Sequence, residues 1–129
     1  MRIGAIVLGL TLAVTISACT TAPIQNMTNN PVASASGKQL SSEEVRGAIV
    51  RAGAALGWRM KDEGPGRLSA TLDLRSHEAV VDIPYSTTSY SITYRSSTGL
   101  NEKDGNIHKN YNGWIQNLTR GINAQISAL

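Results

Sequence analysis

Cysteine is almost missing from this chain of 129 residues: there is one, Cys19, so no intramolecular disulfide can staple the fold. One cysteine and two histidines, His77 and His108, also leave no ordinary four-ligand zinc site. Charge is scarce at 16% of residues, and 12 basic against 9 acidic side chains give a net +3. That balance is too weak to argue for a nucleic-acid partner. Phenylalanine is absent. No strand-turn nucleophile elbow of the G-x-S-x-G type occurs, and no glycine-rich phosphate loop. Gly64-Pro65-Gly66 precedes a strand pattern, not a helix, and reads as a hairpin turn. No metal or cofactor is expected. What is present, with 41% hydrophobic residues, is enough for one small globular domain.

The first eighteen residues have the order of a secretory signal. A basic start at Met1-Arg2 leads into an apolar run from Ile3 to Val14, and small residues follow at Thr15, Ser17 and Ala18. The run is short for a membrane span, which needs about 20 residues. Ile16-Ser17-Ala18-Cys19 resembles the bacterial lipobox, an aliphatic residue and two small ones before a cysteine. The resemblance implies that residues 1–18 are removed and that Cys19 carries diacylglycerol on its sulfur. A thiolate is the side-chain nucleophile that can take a lipid as a thioether. Acyl chains contribute about 0.8 kcal/mol per buried CH₂, so two or three hold a protein stably on a bilayer. Thr20, rather than Asp, follows the cysteine. By resemblance to the known sorting rule, that favours the outer membrane, with the domain facing the periplasm.

Residues 20–40 contain two prolines and many Thr, Ser and Asn, without apolar periodicity. Together with the lipidated Cys19 they are expected to form a disordered tether over 19–40, its ends roughly 25 Å apart as a flexible coil. The alternative is that part of the segment packs as an extra strand.

A small α+β domain is expected over 41–127. Ser41 and Glu44 have capping-box spacing, and Val45, Ala48, Ile49, Ala52 and Leu56 recur on one helical face, so a helix is predicted over 41–56 with Gly57 as its C-terminal stop. Four alternating runs follow, around Trp58–Lys61, Leu68–Leu74, Ala79–Tyr85 and Tyr90–Arg95. With turns at 75–78 and 86–89, Leu72 meets Val81, Tyr85 meets Tyr90 and Val81 meets Tyr94, and the apolar sets stay on one face. Pro84 is expected near a strand end. Asn106 is a plausible N-cap for a second helix over 106–126, with a stripe from Ile107 through Tyr111, Trp114, Ile115, Leu118 and Ile122 to Ile126. Gly113 and Gly121 each cost that helix about 1 kcal/mol of propensity relative to alanine, which a close approach of its backbone to the sheet would explain. The order α-β-β-β-β-α predicts a two-layer sandwich: a four-stranded antiparallel meander with both helices on one face.

Beyond these patterns, Gly57-Trp58, Ile83-Pro84-Tyr85, the stretch Tyr90-Ser91-Ile92-Thr93-Tyr94-Arg95-Ser96-Ser97 and the stretch from Ile107-His108 through Tyr111-Asn112-Gly113-Trp114-Ile115 to Asn117-Leu118 carry a resemblance. They resemble a group of small uncharacterised lipoproteins of Gram-negative bacteria, marked by S-I-x-Y-x-S and I-H-x-x-Y-N-x-W-I-x-N-L. The resemblance spans most of 57–122 and implies an envelope location. It implies no catalytic residues.

Candidate site residues are few. His108 and Asn112 stand at i and i+4 of the predicted second helix and can act together, as general base or ligand contact. The bland reading is a histidine that bonds the 96–105 loop and fixes the helix entry. Asp73 and Asp82 share the polar sheet face with Thr93 and Arg95 and can hold a cation or form an acid/base pair, or simply be solvated strand positions. His77 is expected to be solvated in a turn. The aromatics either pack the core or line a pocket whose mouth is Ser86–Ser89 and Ser96–Thr98. The expected role is a non-enzymatic binding or accessory module, held to the membrane through Cys19, with an envelope protein or peptidoglycan as partner. Two alternatives are a small envelope hydrolase using His108 and a tethered inhibitor of an envelope-degrading enzyme presenting loop 96–105.

Overall fold

The computed structural model describes residues 4–6, 8–11 and 20–129. Cys19 and most of the expected signal lie outside these residues. In chain order the elements are β1 (Thr21–Pro23), β2 (Met27–Pro31), α1 (Ser42–Ala55), β3 (Arg59–Gly64), β4 (Arg67–Leu74), β5 (His77–Pro84), β6 (Ser89–Thr98), β7 (Asn106–His108) and α2 (Asn110–Ser127). The fold is α+β with antiparallel strand pairing. The main sheet has five strands, in order β2-β6-β5-β4-β3, and β1 pairs separately with β7.

Helix α1 forms where its caps demand. Ser41 Oγ accepts from Glu44 N at 3.1 Å, and Ser41 N donates to the Glu44 carboxylate at 3.1 Å, so two orphan amides of the first turn are satisfied. At the other end Gly57 takes φ +87°, Gly57 N donates to Ala54 O, and Trp58 N donates to Gly53 O. This is a Schellman stop, which a residue with a Cβ resists. The buried side, Val45, Ala48, Ile49 and Ala52, enters a core shared with Leu68, Ala70, Leu72, Ala79, Val81 and Ile83 of the sheet and Tyr111, Ile115, Leu118, Ile122 and Ile126 of α2.

The expected meander β3-β4-β5-β6 is present, with Pro84 as the last residue of β5. The β4–β5 turn is two residues, not four: Leu74 faces His77 and Leu72 faces Ala79. The slip from the expected pairing is an even number, so the same side chains stay inside. Between β5 and β6, Val81 faces Tyr94 as expected, but Val80 faces Ser96. Arg95 is therefore the extra residue of a β-bulge, which bends the strand and re-aims its side chain.

Three expectations need correction. First, the sheet has five strands rather than four, and the helices do not form a simple layer over it. They pack on each other, with α1 also reaching β3 and α2 reaching β7. Second, residues 20–40, expected to be a disordered tether, carry β1 and β2. Their prolines, Pro23 and Pro31, stand at strand ends, and β2 is an edge strand that tolerates the missing amide. Third, α2 starts at Asn110, not Asn106, because Asn106–His108 pairs with Pro23–Thr21 instead. Of the two glycines in α2, Gly121 approaches α1, not the sheet: a Cβ there would meet Leu56 at 3.4 Å and Ala52 at 3.6 Å. Gly113 faces open space.

Candidate functional site

The polar side of the meander gathers most of the chain's organised charge. One row runs across four strands as Lys61, Ser69, Asp82 and Thr93. A second runs Arg59, Thr71, Val80 and Ser96. A further bulge in β3, between Asp62 and Gly64, sets Glu63 beside these rows. Ser69, only 4% exposed, donates its hydroxyl to Glu63 Oε1 at 2.8 Å. The bulged Arg95 bonds the Asp82 carboxylate and stands 3.6 Å from Glu63, while Lys61 Nζ is 4.0 Å from the same carboxylate. The Ser69 hydroxyl, helped by Lys61 and Arg95, holds the Glu63 carboxyl below its ordinary range. The bond to Asp82 holds Arg95 firmly in its cationic form.

The Arg95–Glu63 pair divides this face into two shallow hollows. One is framed by Glu63, Arg67, Asp82, Pro84, Thr93 and Arg95, the other by Arg59, Lys61, Glu63, Ser69, Thr71 and Arg95. Both are open to solvent and lined by cations, carboxylates and hydroxyls, with Leu68 and Pro84 completing the first and Met60 and Val80 the second. Such a surface offers charge-assisted hydrogen bonds to a partner's amides, carboxylates or amines.

The structure brings Asp82, Thr93 and Arg95 together and leaves Asp73 apart. Asp73 pairs with Arg59 at 2.7 Å and faces Glu78 across the strands. Ser69, the residue opposite Asp82, is four positions away from Asp73 on β4, about 13 Å at strand rise. The two aspartates thus serve different arginines and share no cation. Among the described residues, no group of three or more His, Cys, Asp and Glu side chains is placed to hold a metal ion.

His108 and Asn112 lie elsewhere and do not form a helical pair, because His108 precedes the helix. Its ring Nδ1 accepts from Asn110 N at 3.2 Å, and its main-chain amide donates to Leu100 O at 2.8 Å. The ring thereby covers an orphan amide of the first turn of α2, where Lys109 supplies no side-chain cap. Asn112, 7% exposed, is a clamp: its Nδ2 donates to Pro23 O at 2.9 Å and its Oδ1 accepts from Gln25 N at 3.0 Å. The side-chain amide mimics a strand neighbour for residues 23–25. His77, rather than being merely solvated, bonds Gly99 O through Nδ1 at 2.9 Å.

Most of the aromatics fill the core, while Trp58 and Trp114 also border a small apolar hollow with Leu56 and Leu72. Trp58, Tyr90 and Tyr111 are buried, and Tyr94 meets Tyr111 edge-on at 5.7 Å. Tyr90 donates to Asn123 Oδ1 at 2.6 Å, and burial pushes its hydroxyl up to about 12.

Glu63, Lys61, Arg59 and Arg67 escaped the sequence reading as site residues. Glu63 fell in what reads as a turn before Gly64-Pro65-Gly66, whereas β3 continues through it. The available signal was the alternation of Arg59 and Lys61 with Trp58 and Met60, continued two residues further.

A scan against protein-family models found no match, and neither a search of curated proteins nor one of solved structures returned a similar chain.

Proposed function

We propose that the chain is a lipid-anchored protein of the outer membrane, facing the periplasm, whose domain is a non-enzymatic binding module. The observation that carries this reading is the run from Ile3 to Val14 closing on Ile16-Ser17-Ala18-Cys19, two residues before strand β1 at Thr21–Pro23. Ile6, Leu8 and Leu10 of that run are 87%, 83% and 84% exposed and serve no core. Such side chains suit a leader that is read by membrane machinery and removed.

The module's working surface is the polar sheet face centred on Arg95, Glu63, Asp82 and Ser69. Arg95 and Arg59 are preorganised by carboxylates, and the face's mixed signs fit an envelope protein better than a uniformly charged polymer. Asp82 and Glu63 are engaged by Arg95 and Ser69, and the His108 ring by the helix entry. These engagements support binding over catalysis.

Two experiments test the reading. Wild-type protein should fractionate with outer membranes and its processed N-terminal peptide should carry a diacylglyceryl mass on Cys19; Cys19→Ala should leave the membrane fraction or stay uncut. A photo-crosslinking residue at Thr71 or Thr93 should trap an envelope protein in intact cells, and Arg95→Glu should abolish the adduct. Co-sedimentation with purified peptidoglycan in place of a protein adduct would reassign the partner, and neither result would sink the binding module.

A further inference from the structure

Two cations on the polar sheet face stand without a settled partner. Arg59 is paired with Asp73, and Arg95 with Asp82 and Glu63. Arg67 is exposed, and among the described residues its guanidinium makes no hydrogen bond or ion pair. Lys61, 74% exposed, comes only within 4.0 Å of a Glu63 carboxylate that Ser69 and Arg95 already engage. Edge protection accounts for Lys61 on β3, since charge on an edge strand discourages unwanted pairing. It does not account for Arg67. That residue starts β4, an interior strand, and faces Pro84 rather than a carboxylate.

The two cations stand on either side of the Arg95–Glu63 divide, Arg67 in one hollow and Lys61 in the other. Lys61 faces Ser69, and Arg67 lies two residues from Ser69 along β4. One strand spacing across and two residues along put their Cα atoms roughly 8 Å apart. Alternate residues of an extended chain are about 7 Å apart and point to the same side. Between the cations lie acceptors. Bonds within the chain reach Glu63 through Oε1 and Asp82 through Oδ1, so Oε2 and Oδ2 keep open lone pairs. The hollows therefore suit two kinds of group together: carboxylates for Lys61 and Arg67, and N–H donors for Glu63 and Asp82.

We infer that the partner lays an extended acidic segment on this face, with carboxylates on alternate residues meeting Arg67 and Lys61 and amide N–H groups donating to Glu63 and Asp82. The inference rests on the sheet face being the binding surface, and it does not depend on the lipid anchor. A peptide supplies both groups at once. A phosphate polymer brings anions but no N–H donors, and the Glu63 and Asp82 carboxylates set between the cations repel its closely spaced charges. A basic segment is repelled by Lys61 and Arg67, and finds Asp73 and Asp82 already paired with arginines.

The test measures binding of the full chain to a capped peptide of alternating Glu and Thr, followed by fluorescence anisotropy at low salt. That peptide should bind, the same peptide with Lys in place of Glu should not, and affinity should fall as salt is raised. Lys61→Glu and Arg67→Glu should each weaken binding by roughly two- to tenfold, the range for partly exposed charge pairs, and together by more. Arg67 has no bond within the described residues to lose, so its variants should keep the wild-type thermal midpoint. Arg67→Gln, which removes the charge without reversing it, must also weaken binding. Failure of wild type to bind the Glu peptide, equal binding of the Glu and Lys peptides, or equal binding by the double variant would overturn the inference. So would polyphosphate displacing the Glu peptide at matched ionic strength, since the face would then be a general anion site. In intact cells, a photo-crosslinking residue at Thr93 separates this inference from the reading beneath it. An envelope-protein adduct lost on the double reversal supports both. An adduct that survives it leaves the binding face standing and removes the acidic partner, whereas no adduct at all removes both.

Discussion

The N-terminal strap, residues 20–36, and the central core are held by different physics. The core is an apolar cluster in which Val45, Ile49, Val81, Ile83, Ile92, Ile115 and Ile122 are each 0% exposed. The strap buries only parts of Ile24, Met27 and Val32 against it. Directional bonds fasten the rest: Asn112 to Pro23 and Gln25, Tyr94 N to Asn26 Oδ1 at 2.9 Å, Asn29 N to Ser91 Oγ at 2.9 Å, and Ala35 N to Ser127 O at 3.1 Å. Packed volume is shared among many neighbours, so damage there spreads through the whole domain. A strap fastened at separate points can be released one point at a time.

The sharpest contrast comes from truncating the core. Ile115→Ala should destabilise the domain by about 2–5 kcal/mol, the range for a fully buried isoleucine, with one cooperative denaturant transition moved to lower midpoint. Asn112→Ala should cost about 1–3 kcal/mol, because the Gln25 amide and Pro23 carbonyl lose their partner. Its signature should be local: faster amide exchange at Gln25 and the neighbouring strap, with protection in α1 and β5 kept above it. Uniformly faster exchange across the domain would erase the distinction between the two regions.

Smaller effects refine it. Gly113→Ala should raise stability by about 1 kcal/mol, since a Cβ there meets nothing within 4 Å and alanine favours the helix. A rise of the melting midpoint by a few degrees is the expected reading. The smallest change concerns Glu63. Its folded-state carboxyl titrates below the ordinary 4.5, so its bond to Ser69 stabilises the fold above that pH. That contribution is lost as pH falls below 4.5 through the folded value. Ser69→Ala should raise the Glu63 titration midpoint seen by carboxyl NMR, and an unmoved midpoint would remove Ser69 as its cause.

Legibility followed the range of the interactions. Helix α1 could be read because Ser41, Glu44 and Gly57 act on amides within a turn. The meander could be read because alternation at Leu68–Leu74 and Ala79–Ile83 carries its own face assignment, which survived a two-residue error in the turn. The strap could not. Asn112 lies 87 and 89 positions from the groups it clamps, and Asn26 lies 68 from Tyr94. The start of α2 failed for the same reason: Asn106 has the chemistry of an N-cap, but pairing with Pro23 drew it into a strand. Of the candidate site, Asp82, Thr93 and Arg95 were visible as one face. Their junction with Glu63 was not, since bulges at Arg95 and in β3 break the alternation that placed the others.

Periodicity and capping chemistry alone determined two amphipathic helices, four central strands and which side of each strand is wet, because those preferences act between residues a few positions apart. Only the tertiary structure decided that residues 20–36 are bound along α2 and the sheet edge, and that Glu63 meets Arg95 and Ser69 on the polar sheet face. Hydrogen bonds and juxtapositions between distant segments have no period, so they exist only once the core has brought those segments together.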